Sequence, residues 1–589
     1  MSFIKNVLAS MLGTFAAFFL VIALFVIMIV IAASSGEEKV NVKNNSVLHL
    51  KLDKSIVDRA SKQGFNFTGS GFQSDANLGL DKLYEVLESA KNDENIQGLF
   101  LEVDLFAAPP SAMLDARNAL LDFKNSGKWI IAYGENFTQG GYYIASAANE
   151  VYMFPTGTFD WRGLSTELMF FKKMFDKLEI EAQVIRGPNN KFKSAVEPFM
   201  YEQMTPENRQ QISTYVGDIW KTMLDGISKE RKVSIDFLNQ AADSISLMNN
   251  ENLKNSGLIN GLVYRDEIMT NIKGKLGIDA ESKKEINMID FDKYALSLDN
   301  KDEKDNRIAV VYAEGAIESG DGDDETIGSD RIAKALKDAR ENENVKAIVF
   351  RVNSPGGSAL ASDVIWRETE LIKKSGKPLI VSMGDYAASG GYYIACSADR
   401  IFANPNTITG SIGVFGVIPN MQKFLNNKIG LTFDTYETNA HSDALTVTKP
   451  LDEYEMKVMQ NMVAQIYDDF TSKVAAGRKK TQAEVDSIGQ GRVWSGEDAL
   501  GLGLVDELGD MRAAIRYAAQ IAGVSDYSTQ DYPKMKDPFQ EFVEDLAGQQ
   551  QASIMKEVLG EEFRFYEQFK SIQNIRGIQA RLPYFIVIR

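Results

Sequence analysis

The chain has 589 residues, enough for three or four domain-sized units, and its 44% hydrophobic and 25% charged content is that of a folded chain rather than a disordered one. A formal net charge of −17 excludes the basic surface that phosphate recognition needs, so no nucleic-acid partner is expected. The single cysteine, Cys396, excludes an internal disulfide and a cysteine metal centre, and the two histidines, His49 and His441, exclude a histidine-rich one, so neither metal nor cofactor is expected.

Taken in chain order, the first predicted element is a membrane anchor. No charge occurs from Asn6 to Gly36, and residues 11–33 read MLGTFAAFFLVIALFVIMIVIAA. About twenty apolar residues at ~1.5 Å each cover a bilayer's hydrocarbon core. Lys5 precedes the run and Glu37-Glu38 follow it, which places the short N-terminus inside and the bulk of the chain outside. Small residues at Ala32-Ala33-Ser34-Ser35 would suit a cleaved leader, but the run is longer than a leader's apolar region, which favours a retained anchor and one span.

The rest of the chain repeats itself. FTQGGYYIASAANEVYMFP (137–155) matches AASGGYYIACSADRIFANP (387–405), with GGYYIA recurring at an offset of 250 residues. NSGKWIIAYG (125–134) matches KSGKPLIVSMG (374–384), and NSGLINGLV (255–263) echoes GLGLVDELG (501–509). The expected divisions are a stub and anchor over 1–36, a first repeat over 47–270, a charged linker over 271–305, a second repeat over 306–523, and a tail over 524–589 with helical patches and no assigned chemistry. Within the second repeat, RIAVVYAEGAI (307–317), VKAIVFRVNS (345–354) and PLIVSM (378–383) read as strands, with helical segments at 330–343 and 359–376 between them. Strands alternating with helices predict an α/β fold with parallel βαβ units.

Two glycine-containing turns follow these strands, where α/β folds place their sites. Asn353-Ser354-Pro355-Gly356-Gly357 can present backbone N–H groups to an oxyanion, with a helix following it, although such a sequence also serves as a plain turn. Asp385 to Gly391 contains Ser389, which reads equally well as an exposed nucleophile or as the cap of a short helix. The aligned residue of the first repeat is Gln139, which cannot be a nucleophile, and Ala107-Ala108-Pro109-Pro110 stands near where the Pro-Gly-Gly turn would be. Only the second repeat therefore carries both features. The base that would activate Ser389 is either His441, in a loop-like stretch, or a lysine with a lowered pKa; spacing alone does not say which lysine.

RVNSPGGS (351–358), MGDYAASGGYYIA (383–395) and NPNTITGSIGVFGV (404–417), with FKSAVEPF (192–199) in the first repeat, resemble the signature segments of the signal peptide peptidase A (protease IV) family, in its long two-repeat bacterial form. The resemblance covers essentially the whole chain. It implies two tandem domains like those of the Clp protease and the crotonases. It implies a serine protease with Ser389 as nucleophile, Lys193 as general base, oxyanion N–H groups from Gly356 and Gly357, and Ser411 orienting the lysine. It further implies a ring-like homo-oligomer, a homotetramer, in the bacterial inner membrane with its catalytic domains on the periplasmic side. Its substrates would be remnant signal peptides left after preprotein processing. Asp385-Tyr386 departs from the pattern, since small residues are common there in relatives. The other readings are a crotonase-like acyl-CoA enzyme and a non-catalytic membrane scaffold.

Overall fold

Runs of β-branched residues separated by amphipathic helices fold here into parallel sheets, because each crossover helix returns the chain to the same edge direction. The computed structural model describes residues 5, 11–20, 40–60, 66–68, 71–73, 77–298, 304–323, 325–535 and 578–582. Residues 11–20 are helical. The remainder of the expected anchor lies outside the described residues, and no helix among those described is long and apolar enough to cross a membrane.

The first repeat forms an all-parallel sheet in the order Gly261–Leu262, Glu150–Met153, Trp129–Gly134, Ile96–Val103, Ser46–Leu52, Asn287–Asp290. The second repeat builds the same arrangement from Glu507–Leu508, Arg400–Ala403, Leu379–Ala388, Val345–Ser354, Arg307–Glu314 and Ser528–Tyr532. Two further strands join it: Ile408–Gly410 lies beside Leu379–Ala388, and Val493–Ser495 pairs antiparallel with Ile408–Gly410. The duplication reaches single hydrogen bonds. Tyr142 donates to the Leu258 carbonyl and Tyr392 to the Leu504 carbonyl. Lys128 donates to the Ala90 and Asp93 carbonyls, and Lys377 to those of Ala339 and Asn342.

The central strands are buried on both faces, so they read as continuous apolar runs rather than alternating ones. Ile348, Val349 and Phe350 are fully buried, each contributing about 1.5–3 kcal/mol relative to exposure. Sheet formation also extends past the expected boundaries. Asn287–Asp290, inside the stretch read as a linker, pairs in parallel with Ser46–His49, and Ser528–Tyr532, inside the stretch read as a tail, pairs with Arg307–Val311.

A third sheet joins the repeats. Its order is Thr326–Gly328, Ala316–Glu318, Gly356–Ser358, Ile578–Arg581, Phe415–Asn420, Glu181–Arg186. Glu181–Arg186 belongs to the first repeat and pairs antiparallel with Phe415–Asn420 of the second. That register carries the chain that follows Arg186 into the second repeat. The contact between the repeats is part apolar, with Ile212 and Tyr215 of the first against Ala388, Ile408 and Val493 of the second, and part polar and buried: Arg351 donates to Asp58 at 2.7 Å and 3.1 Å and to Asp115 at 3.4 Å.

Candidate active site

Ser389 stands between the strand Leu379–Ala388 and the helix Gly390–Ala395, with φ 56° and ψ −113°. Such a conformation in a non-glycine residue costs about 1–3 kcal/mol and persists only where neighbours hold it. Here the Ser389 N–H donates to the Gly410 carbonyl at 2.8 Å, and its own carbonyl accepts from Tyr393 N–H at 2.9 Å. The turn aims the hydroxyl away from the helix, and no side-chain cap bond forms, so Ser389 does not serve as a helix cap. The first repeat shows the ordinary alternative. There Thr138 caps the helix Gln139–Ala145 through Gly141 N–H, and the Gln139 amide is used up holding Arg162 and Gly163.

Lys193 arrives from the first repeat, on the loop between the strand Glu181–Arg186 and the turn Ser194–Val196. Phe192 N–H donates to the Gln490 carbonyl at 2.9 Å, which binds this loop to the second repeat. Gly491 lies against its back: a Cβ there would fall 2.4 Å from Lys193 Cβ, and the residue's φ of +76° suits glycine. Lys193 is 1% exposed. Its Nζ lies 2.8 Å from Ser389 Oγ, 3.0 Å from Ser411 Oγ and 3.2 Å from the Ser411 carbonyl. Burial pushes its pKa well below the ordinary lysine value. A neutral amine has two N–H groups and one lone pair. Donating both to Ser411 leaves the lone pair facing the Ser389 O–H, which is the arrangement for taking its proton.

The glycine turn is built differently from the expectation. Gly356 has φ +96° and its N–H donates to Ser354 Oγ at 3.1 Å, so that N–H is not free for an oxyanion. Its tight turn instead brings two other N–H groups together. A Cβ on Gly356 would lie 2.8 Å from Gly390 N, and one on Gly390 would lie 3.1 Å from Gly357 N. Gly357 N and Gly390 N thus lie close to one another at the turn that carries Ser389. Sequence reading missed Gly390 although it directly follows the serine, the usual position for such a donor.

The other candidates lie elsewhere. His441 Nδ1 is 3.2 Å from Glu455 Oε1, and its ring stacks on Tyr454, whereas the hydroxyl of Ser389 has Lys193 and the Gly413 carbonyl as its neighbours. Cys396 is fully buried, which pushes its thiol up to about 12. Asp385 accepts from Ser111 N–H at 2.7 Å and Ala112 N–H at 3.2 Å. The departure at that position therefore caps the helix Pro110–Asn125 of the first repeat, which has no cap of its own.

Comparison with known proteins agrees with the duplication. The profile described as Peptidase family S49 matches residues 122–279 and again residues 372–525. "Protease 4" of Haemophilus influenzae is 34% identical over 530 residues, 87% of this chain and 85% of that protein. "Protease 4" of Salmonella typhi is 36% identical over 510 residues, 83% of this chain and 81% of that protein. "Serine protease SPPA, chloroplastic" of Arabidopsis thaliana is 32% identical over 554 residues, 92% of this chain and 78% of that protein. With its two matched segments and these similarities over most of its length, the chain belongs to peptidase family S49 and is a serine protease.

Proposed function

We propose that this protease hydrolyses peptide bonds with Ser389 as nucleophile and Lys193 as general base, in two tandem domains of the Clp protease and crotonase type. The observation that carries this reading is the 2.8 Å approach of Lys193 Nζ to Ser389 Oγ at a buried site where burial lowers the amine's pKa well below the ordinary lysine value. Lys193 takes the hydroxyl proton as Ser389 attacks the peptide carbonyl, and returns it to the departing amine. Gly357 and Gly390 N–H groups receive the oxyanion. Ser411 fixes the amine by two contacts.

In the same reading the chain is a homotetramer anchored by residues 11–33 in the bacterial inner membrane, with its catalytic domains on the periplasmic side. Its substrates are remnant signal peptides. The apolar run with Lys5 before it and Glu37-Glu38 after it supports the anchor and its orientation. Ser389→Ala and Lys193→Ala are each expected to lower hydrolysis of an apolar peptide by ~10³-fold or more, with assembly unchanged by sedimentation. Lys193→Arg should be equally inactive, because a guanidinium stays charged. Substantial turnover by any of the three would overturn the reading.

A further inference from the structure

One buried amide grips the loop that carries Lys193. Gln211 lies in the second turn of the helix Pro206–Arg231 and is 1% exposed. Its Nε2 donates to Ser194 Oγ at 2.8 Å and reaches the Phe192 carbonyl at 3.2 Å and Asn208 Oδ1 at 3.1 Å. Phe192 and Ser194 stand on either side of Lys193. Its Oε1 accepts from Val493 N–H at 3.2 Å. A single side chain therefore joins the lysine loop of the first repeat to a strand of the second.

The rest of the site is built against that strand. Val493 stands opposite Gly410 where Val493–Ser495 pairs with Ile408–Gly410. The Gly410 carbonyl accepts from Ser389 N–H at 2.8 Å, and the Arg492 carbonyl, next to Val493, accepts from Ser411 N–H at 2.7 Å. Gln211 thus ties the lysine to the backbone that places both hydroxyls its amine touches.

The direction of the amide is set from behind. Glu197 is 2% exposed and accepts from Asn208 Nδ2 at 2.8 Å and from the Thr205 hydroxyl. A carboxylate only accepts, so Asn208 turns its N–H groups to Glu197 and its oxygen to Gln211. Gln211 then presents its own N–H groups to Asn208 and the lysine loop, which leaves its oxygen for Val493 N–H. A flipped amide would set oxygen against the oxygens of Asn208 and Phe192.

The duplication supplies a comparison. The helix Glu453–Arg478 of the second repeat has the same 26 residues as Pro206–Arg231. Counted from the N-caps Thr205 and Asp452, Gln211 falls on Val458 and Asn208 on Glu455. Val458 is 40% exposed and has no amide to offer. A device needed to fold either repeat would stand in both copies, whereas this one stands in the copy that carries the lysine.

From this geometry we infer that Gln211 is a positioning residue for the reaction: it holds the Lys193 amine against Ser389 and shuts water away from it, and Asn208 and Glu197 hold Gln211 in turn. The inference rests on the serine–lysine reading of the site. The groups around the amine are uncharged, namely Ser389, Ser411 and the Phe415 ring, and burial is what lowers its pKa. A loop released from the amide lets solvent reach the amine. Solvation favours the charged form, so the base stays protonated to higher pH.

The test is hydrolysis of an added apolar peptide by the full chain from about pH 5 to about pH 10, with urea unfolding of the same proteins. Gln211→Met keeps the length of the side chain and removes its hydrogen bonds. The expected result is a kcat lower by about 10–100-fold, a KM within about 3-fold of the parent's, and an acid limb moved to higher pH. Ser194→Ala removes only the 2.8 Å contact and keeps the test open if Gln211→Met does not fold. It should move the limb the same way, with kcat about 3–10-fold lower. A lowered urea midpoint with the parent's kcat and acid limb overturns the inference, since Gln211 then serves the fold alone. A loss confined to KM overturns it as well. A wild-type profile with no acid limb sinks the serine–lysine reading, and the inference with it.

Discussion

In the proposed mechanism Lys193 acts as a base only while its amine is neutral, and burial rather than a neighbouring cation is what lowers its pKa. The sign of the pH dependence follows. The free-base fraction rises with pH through the depressed pKa, so kcat/KM should be low in acid and climb to a plateau below the ordinary lysine range. A flat profile from about pH 5 to about pH 10 would contradict a lysine base. In the same proposal Ser411 acts through the lysine. Ser411→Ala removes the 3.0 Å contact and leaves the 3.2 Å one to the carbonyl. The expected loss is about 5–10-fold in kcat, ~1 kcal/mol, with KM little changed. A larger rise in KM than fall in kcat would place Ser411 in substrate binding instead. Ser389 was legible as one of two readings because its Ser-Gly-Gly turn follows a strand. Lys193 was not legible from residues alone: a lysine becomes a base by being buried, and burial is a property of the packed chain. It took the resemblance of the segment around it to single it out.

Elements were legible where their own pattern decides them. The strands at 345–354 and 378–383 and the helices between them carry long apolar runs or helical spacing, and the fold contains them, whereas the run at 307–317 divides into Arg307–Glu314 in the second repeat's sheet and Ala316–Glu318 in the third. Ile578–Arg581 reads IQAR and has no such pattern, so nothing local marks it as a strand. It forms because Gly356–Ser358 and Phe415–Asn420 each offer it an edge. Asn287–Asp290 likewise exists because Ser46–His49 needs a neighbour. The helix Pro110–Asn125 shows the same dependence at its first turn, where its N–H groups are satisfied by Asp385 from the other repeat. Asp385→Ala should therefore cost about 1–2 kcal/mol in urea unfolding, and Asp385→Asn, which keeps an acceptor, distinctly less. Equal effects of the two would show that charge, not capping, is what matters there.

At the scale of the whole molecule, the repeats meet over buried charge. Arg351 bridges Asp58 and Asp115, and Glu314 lies close enough to feel Asp58 and Asp385. Burial, reinforced by Asp58, pushes the Glu314 carboxyl up to about 8 from an ordinary 4.5. The folded chain thus holds a proton there that the unfolded chain has released. That contribution to stability is complete below the unfolded value and is lost as pH rises through about 8. Glu314→Gln keeps the neutral form at every pH, so its melting temperature should fall less steeply than the parent's between about pH 5 and about pH 9. Parallel curves would show that Glu314 is already ionised in the fold.

The reach of 196 residues between Lys193 and Ser389 also sets a timetable. A chain emerging from the ribosome carries the lysine long before it carries the serine, and Gly491, which closes behind the lysine, comes later still. Through most of its own manufacture the polypeptide therefore has no assembled lysine–serine pair. In the proposed mechanism, neither the ribosome's other products nor the machinery that handles the growing chain meets a finished cutting edge until the lysine, the serine and Gly491 have all been made.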